Sequence, residues 1–426
     1  TGSTEPGATT TTDGSSGSTT PGGGTPTTPA PGGGLPAVAP LRTLSVTAGS
    51  TFRLAAWSAN GARILGVESG LKVAVWNAGT GARLAFLQDP SGGTFIQDSP
   101  FEFSPDGSRV VGVAFIQSSN VYAAQVWDAT TGAVIGSLSA TGGRAVYSHD
   151  GSLLAESGPG KITVWDASTL TVRWTAALTY SAFTPRFNAG DSVVAVGQRS
   201  ETGTKGEALL LDAATGAVRA TLNTANDWYF SDDGSLLVTT SNDRIARIWN
   251  TTTGALTHSL HLPFVPVGES IYGLTLFFSP DNSKVIFDKD TAFSVWDIAG
   301  DREAFAIQAG VDRTMPFSSI SADHSRTMIR TQGNAYTAYD TWTGQRLAGF
   351  DTAVLAGGSR TAIAATFVKA NSRVVLMLAP PNSVDYYGVV WSPAGKPVAL
   401  IPSLPTWTFS PDGSLFLIGS TIYALP

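Results

Sequence analysis

Four histidines and no cysteine leave this chain few ways to do chemistry. Without thiols it forms no disulfide, thiolate metal site or cysteine nucleophile. His149 and His324 occupy tight turns, His258 and His261 flank one strand end, and none has a second ligand at metal spacing. Asp288 and Asp290 bracket Lys289, and Asp232 and Asp233 adjoin in a turn; both pairs read as solvated turn carboxylates before they read as a cation site. No Gly-x-Ser-x-Gly elbow or phosphate-cradling glycine loop occurs, and Gly203-Thr204-Lys205-Gly206 reads as a loop tip. This inventory points away from an enzyme and away from a metal or cofactor.

What the chain repeats is a unit of structure. Ala129 to Ser168 contains one cycle of apolar strands, a Ser-His-Asp-Gly turn, a strand ending Val-Trp-Asp and a turn of the Ala-Thr-Thr-Gly type, four strands in all. Nine such turns follow one another, after Trp57, Phe103, Tyr147, Phe187, Phe230, Phe278, Ile320, Phe367 and Phe409, on average about 44 residues apart. That period, with four strands per unit and period-two patterning, is the signature of an all-β, single closed β-propeller of four-stranded blades. The repeat count gives nine blades, with eight as the alternative, because the units around Phe187 and Phe367 have the weakest turn chemistry. The last copy ends one strand short, and Leu41 to Gly49 has the pattern of a fourth strand. The N-terminal strand is expected to complete the last blade and remove two open sheet edges. Third strands end on Trp76, Trp127, Trp165, Trp249, Trp296, Tyr339 and Trp391, with Leu211 in the fourth unit, and one large residue per blade predicts packing between blades.

Residues 1–40 divide from this propeller, residues 41–426, by composition. The first 34 are almost wholly Thr, Gly, Ser, Pro and Ala, which bury too little apolar area to offset ordering entropy and read as a disordered tether. The chain carries a net charge of −6 with its Lys and Arg scattered singly, which argues against nucleic acid. No apolar run is long enough to span a bilayer. A start at Thr1 without a leader pattern reads as a processed or trimmed product.

The motifs VWDATTG (Val126 to Gly132), VWDAS (Val164 to Ser168), RIWNTTTG (Arg247 to Gly254) and VWDIAG (Val295 to Gly300) resemble the WD-repeat propeller family over about residues 41–426. The family's Gly-His pair is missing from every unit, and only the fifth unit has the expected aspartate, Asp243. The resemblance implies a divergent, bacterial-type member with most of the family's His/Asp network absent. The Thr/Gly/Ser/Pro segment resembles the spacer of bacterial surface lipoproteins, which implies a lipid anchor ahead of Thr1. Gly190-Asp191-Ser192 resembles the nucleophile block of one lipase/esterase family, but its position is that of an inter-strand turn.

The copies differ mainly in one set of connections. Turns between first and second and between third and fourth strands share one rim and are uniformly short. The long connections, 88–100, 115–122, 198–207, 261–273, 308–317 and 379–388, all fall on the other. Repeat scaffolds place insertions on the binding face. Aromatic and Arg residues there, Phe95, Tyr122, Arg199, Phe264, Tyr272, Arg313, Tyr386 and Tyr387, are the candidate partner-binding set. The expected function is a non-enzymatic protein-interaction scaffold of the cell envelope or secreted space. The alternatives are a glycan- or small-molecule-binding propeller, with or without hydrolase or lyase activity, and a structural component of a surface assembly.

Overall fold

The computed structural model describes residues 35–426 except 71, 89–100, 117–120, 139–143, 180, 183, 200–205, 224–226, 242, 263–274, 290–291, 309–317, 331–334, 353–354, 356–360, 369, 380–386 and 402–406. Every regular element among them is a β-strand, and every sheet is antiparallel, eight of the nine meandering in chain order. Blades 1 to 8 span residues 52–86, 102–137, 144–177, 181–223, 227–261, 275–308, 318–351 and 361–401. Blade 9 takes three strands from residues 407–424 and its outermost strand, Pro40–Thr43, from the other end of the chain. The ring therefore has nine four-stranded blades, and the units around Phe187 and Phe367 are full blades.

Closure extends further toward the N-terminus than the strand pattern implies. Arg42 pairs with Ile422 and Thr43 with Thr421 in blade 9. Ahead of them, Ala37 bridges Leu400 of blade 8 in parallel, with Val38 N donating to Leu400 O at 2.7 Å and Leu400 N to Pro36 O at 2.9 Å. Val38 and Leu44 are buried on either side of this strand, so ordered contacts begin before residue 41 and bind two blades together.

Burial follows blade depth. Second and third strands are buried nearly throughout, as in Leu154–Glu156 and Ile162–Val164, whereas fourth strands expose Val172, Val218 and Leu256 at the circumference. Blade faces pack on their neighbours. Val238, Ala246 and Ile248 of blade 5, for example, meet Phe278, Phe287 and Trp296 of blade 6 in one cluster. The third-strand aromatics do pack between blades: Trp76, Trp127, Trp296 and Trp391 are buried, and Leu211 fills the same place in blade 4. Trp76 and Trp127 also donate their indole N–H to the preceding connection, at Ser45 O (3.1 Å) and Gln88 O (2.8 Å). In blades 1 to 8 the ladder shifts register at this residue, just ahead of a turn such as Asp128–Gly132 with glycine at positive φ.

Candidate functional site

The predicted partner-binding residues fall into three groups. Phe95, Phe264, Tyr272, Arg313 and Tyr386 lie outside the described residues. Tyr122 opens a third strand, Val121–Asp128, and Arg199 closes a second strand, Val193–Arg199, at the bases of their connections. Tyr387 corrects the expectation of an exposed anchor. It opens the strand Tyr387–Trp391, in which every residue is buried, and packs with Met328 and Phe350 of blade 7. The strand begins inside what reads as a loop, so the aromatic belongs to the core.

The opposite rim is built from a repeated clamp. In blade 3, Ser148 Oγ donates to Asp150 Oδ1 (2.7 Å) and accepts from Leu153 N (2.9 Å), while Asp150 Oδ1 accepts from Ser152 N (2.8 Å). Ser58, Ser104, Ser231, Ser279, Ser321 and Ser410 sit in the same place and are buried, with Asn60 or an aspartate two residues on. Asn188 substitutes in blade 4, its Oδ1 accepting from Ser192 N and Val193 N at 2.9 Å. Ser-x-Asp is therefore a structural motif that satisfies buried turn amides.

One turn position further joins blades. It has positive φ and is Gly61, Gly107, Gly151, Gly234 or Gly413 in five blades and Asp191, Asn282, His324 or Asn371 in four. A Cβ there points at the preceding turn: on Gly107 it would lie 3.2 Å from Ser58, and on Gly234 2.8 Å from Ala189 N. Where the residue has a side chain, that chain reaches across. Asp191 accepts from His149 N and Asp150 N at 2.9 Å and pairs with the His149 ring at 2.8 Å. Asn282 donates to Asp233 (2.9 Å) and Asn371 to Asp323 (2.8 Å). Burial would raise the Asp233 carboxyl, but hydrogen bonds from Ser231, the Ser235 amide and Asn282 lower it to about 2; against the same burial Ser321, then Asn371 and Ser325, hold Asp323 well below the usual range. This rim holds the Gly190-Asp191-Ser192 turn, and its aspartate faces His149 while Ser192 Oγ lies beside Asn188. Asp232 and Asp233 belong to the same rim, Asp288 lies in the strand Lys284–Lys289, and Asp290 is outside the described residues. Among the described residues no three His, Asp or Glu side chains are grouped to hold a metal ion.

The innermost strands carry a further arrangement that sequence reasoning missed. The residues just ahead of the turn aromatic in blades 4 and 5 reach the next blade. Arg186 lies over the Tyr229 ring at 5.1 Å, Tyr229 and Phe277 centroids are 6.4 Å apart, and Phe277 and His324 rings 4.2 Å apart. His324 Nδ1 lies 3.4 Å from Asp232. The residues at this position are Thr366, Thr408 and Ala56 in blades 8, 9 and 1 and Val146 and Ser319 in blades 3 and 7, so this charged and aromatic arc is one-sided and spans blades 4 to 6. On the inner strand of blade 2, Glu102 is exposed yet crowded by protein. This partial burial raises its carboxyl, against the Tyr147 amide and His149. A signal existed in the strand ends Arg186-Phe187, Tyr229-Phe230 and Phe277-Phe278, each pairing a core aromatic with a second large residue.

With blade number, closure and rim geometry fixed, comparison places the architecture. No protein-family model and no curated protein matches the chain. Solved structures do. A crystal structure of a eukaryotic initiation factor is 14% identical, covers 86% of this chain and 90% of that one, and superposes with a TM-score of 0.62. The C-terminal WD40 domain of Sif2 is 11% identical over 92% of this chain and 99% of that one, with a TM-score of 0.52. The dihydro-heme d1 dehydrogenase NirN in complex with DHE is 16% identical over 86% of this chain and 78% of that one, also at 0.52. At these identities the likeness is one of fold: a WD40-like β-propeller, here with nine blades.

Proposed function

We propose that this propeller is a non-enzymatic scaffold of the cell envelope or secreted space that binds a protein partner through its long-connection rim. The observation that supports this most is the contrast between rims. On the short-turn rim the serines and aspartates are engaged in clamps and inter-blade bonds, whereas every long connection leaves from the opposite rim. Side chains already engaged in holding the ring leave that face little freedom to vary for recognition, while the opposite connections are free to. A Thr/Gly/Ser/Pro tether, and a lipid anchor ahead of it, fit a propeller held at a surface.

A second reading, of a ligand-binding or catalytic propeller, draws on the one-sided arc and on NirN, a dehydrogenase of this fold with a bound ligand. The scaffold reading is tested by capture from envelope extracts with the intact chain beside a variant whose 88–100 and 261–273 connections are replaced by short Gly-Ser links. A protein retained only by the intact chain supports it. Equal retention by both, or retention by neither, contradicts it.

A further inference from the structure

Eight arginines elsewhere in the ring have fixed engagements. Arg83, Arg173, Arg219 and Arg247 pair with Glu68, Asp166, Asp212 and Asp243 at 2.5 to 2.8 Å. Arg63, Arg109, Arg326 and Arg373 each hydrogen-bond the next blade. Arg144 and Arg186, on the innermost strands of blades 3 and 4, differ. Both are exposed, and neither has a carboxylate partner among the described residues, although the chain carries a net charge of −6. Arg144 Nη1 only meets Thr184 Oγ1, at 3.4 Å, and Arg186 only lies over Tyr229.

Their placement depends on an irregularity of blade 4. Its inner strand is broken into Ser181–Ala182 and Arg186–Phe187; the partner strand advances from Gln198 to Ala195 while this one advances from Ala182 to Arg186. One extra residue is accommodated around Pro185, and such bulges re-aim side chains. Here the bulge brings Thr184 to Arg144 and presents Arg186 over the half-buried Tyr229, whose far neighbour is the half-buried Phe277.

We propose that this wall of the channel is a binding site for a carboxylate-bearing sugar, a uronate unit of an acidic glycan. Two guanidinium forks without counter-ions suit a carboxylate, which they bind bidentately, and Thr184 offers a hydroxyl between them. Tyr229, beneath Arg186, adds apolar surface beside the guanidinium, the combination of apolar lining and few polar groups that small-ligand sites use. Arg186 adjoins the short turn of blade 4 and Arg144 opens the inner strand of blade 3, so the site runs along the inner strands, and it does not depend on the proposed protein-binding rim.

The test is calorimetric titration of the full chain with trigalacturonate, and with the neutral galactose trimer as control. The intact chain binds trigalacturonate and not the neutral trimer. Arg144→Gln and Arg186→Gln each weaken binding about tenfold or more, with unchanged melting. Arg186→Lys, which keeps charge but loses the fork, falls between. Absence of binding by the intact chain, equal affinity for the neutral trimer, or Gln variants that bind as the parent does would overturn the proposal.

Discussion

Replacing Asp191 by glycine separates two explanations of the inter-blade turn position. Asp191 has a φ of 52°, a left-handed backbone that costs a residue with a Cβ about 1 kcal/mol, so glycine relieves strain. If backbone conformation is all the position requires, Asp191→Gly stabilises. The structure opposes that relief with three contacts to the turn of blade 3: His149 N and Asp150 N at 2.9 Å and the His149 ring at 2.8 Å. A hydrogen bond to a charged acceptor contributes about 1.5 to 3 kcal/mol when buried. His149 and Asp150 are exposed, so about 1 kcal/mol for each amide and none for the ring is appropriate. The result is a net loss of about 1 kcal/mol for Asp191→Gly and about 2 kcal/mol for Asp191→Ala, which keeps the strain. At about 2 cal/mol/K per residue, a ring of this size loses roughly 1 °C per kcal/mol. Scanning calorimetry should place parent, Gly and Ala variants in that descending order. A Gly variant that melts above the parent refutes the idea that the side chain holds blades 3 and 4 together.

Three further outcomes follow from the same geometry. Gly132→Ala should be far more damaging than Gly70→Ala. Both glycines have positive φ, but a Cβ on Gly132 would lie 1.9 Å from Phe86 O whereas one on Gly70 meets nothing within 4 Å; thermal melts showing equal losses would contradict the packing of turn on neighbouring blade. Acid should open the short-turn rim: the carboxyls of Asp233 and Asp281 are held at about 2, below their ordinary 3.8, the first by Ser231, Ser235 and Asn282 against burial and the second by Ser279 and Ser283. Groups depressed in the fold contribute stability above their unfolded value and lose it as pH falls through the folded one, so melting should hold steady above pH ~5 and fall between ~4 and ~2. A melting temperature unchanged down to the bottom of that window would count against the clamps. Finally, a chain beginning at Leu44 should expose the edge of Thr421–Ala424 and self-associate, while one beginning at Leu35 stays monomeric on size exclusion; identical behaviour would mean that Pro40–Thr43 does not close the ring.

The ring was legible in the sequence because its signals are local. A turn aromatic recurs in eight of the nine units and a third-strand Trp in six, and even the units of Phe187 and Phe367 keep strand lengths that build a blade. The bonds between blades were not legible. Asp191 and His149 lie 42 residues apart and Asn282 and Asp233 lie 49 apart, and only the ring's register brings them together. The clamp serine was visible as a repeated Ser but read as turn composition, since its hydrogen bonds run to amides five residues on. Tyr387 was misplaced because loop and strand meet at that residue, and no polar alternation marks a strand buried on both faces. The channel arc escaped for another reason: Arg186, Tyr229 and Phe277 share no residue type, only a position.

Hydrogen exchange of the chain alone and with a captured partner tests the scaffold reading most directly. Protection on binding should concentrate in 88–100, 198–207, 261–273, 308–317 and 379–388, with the turns at Ser148–Ser152 and Ser231–Ser235 unchanged. Protection of those short turns instead, with the long connections exchanging as in the free chain, would contradict the account and place recognition on the opposite rim.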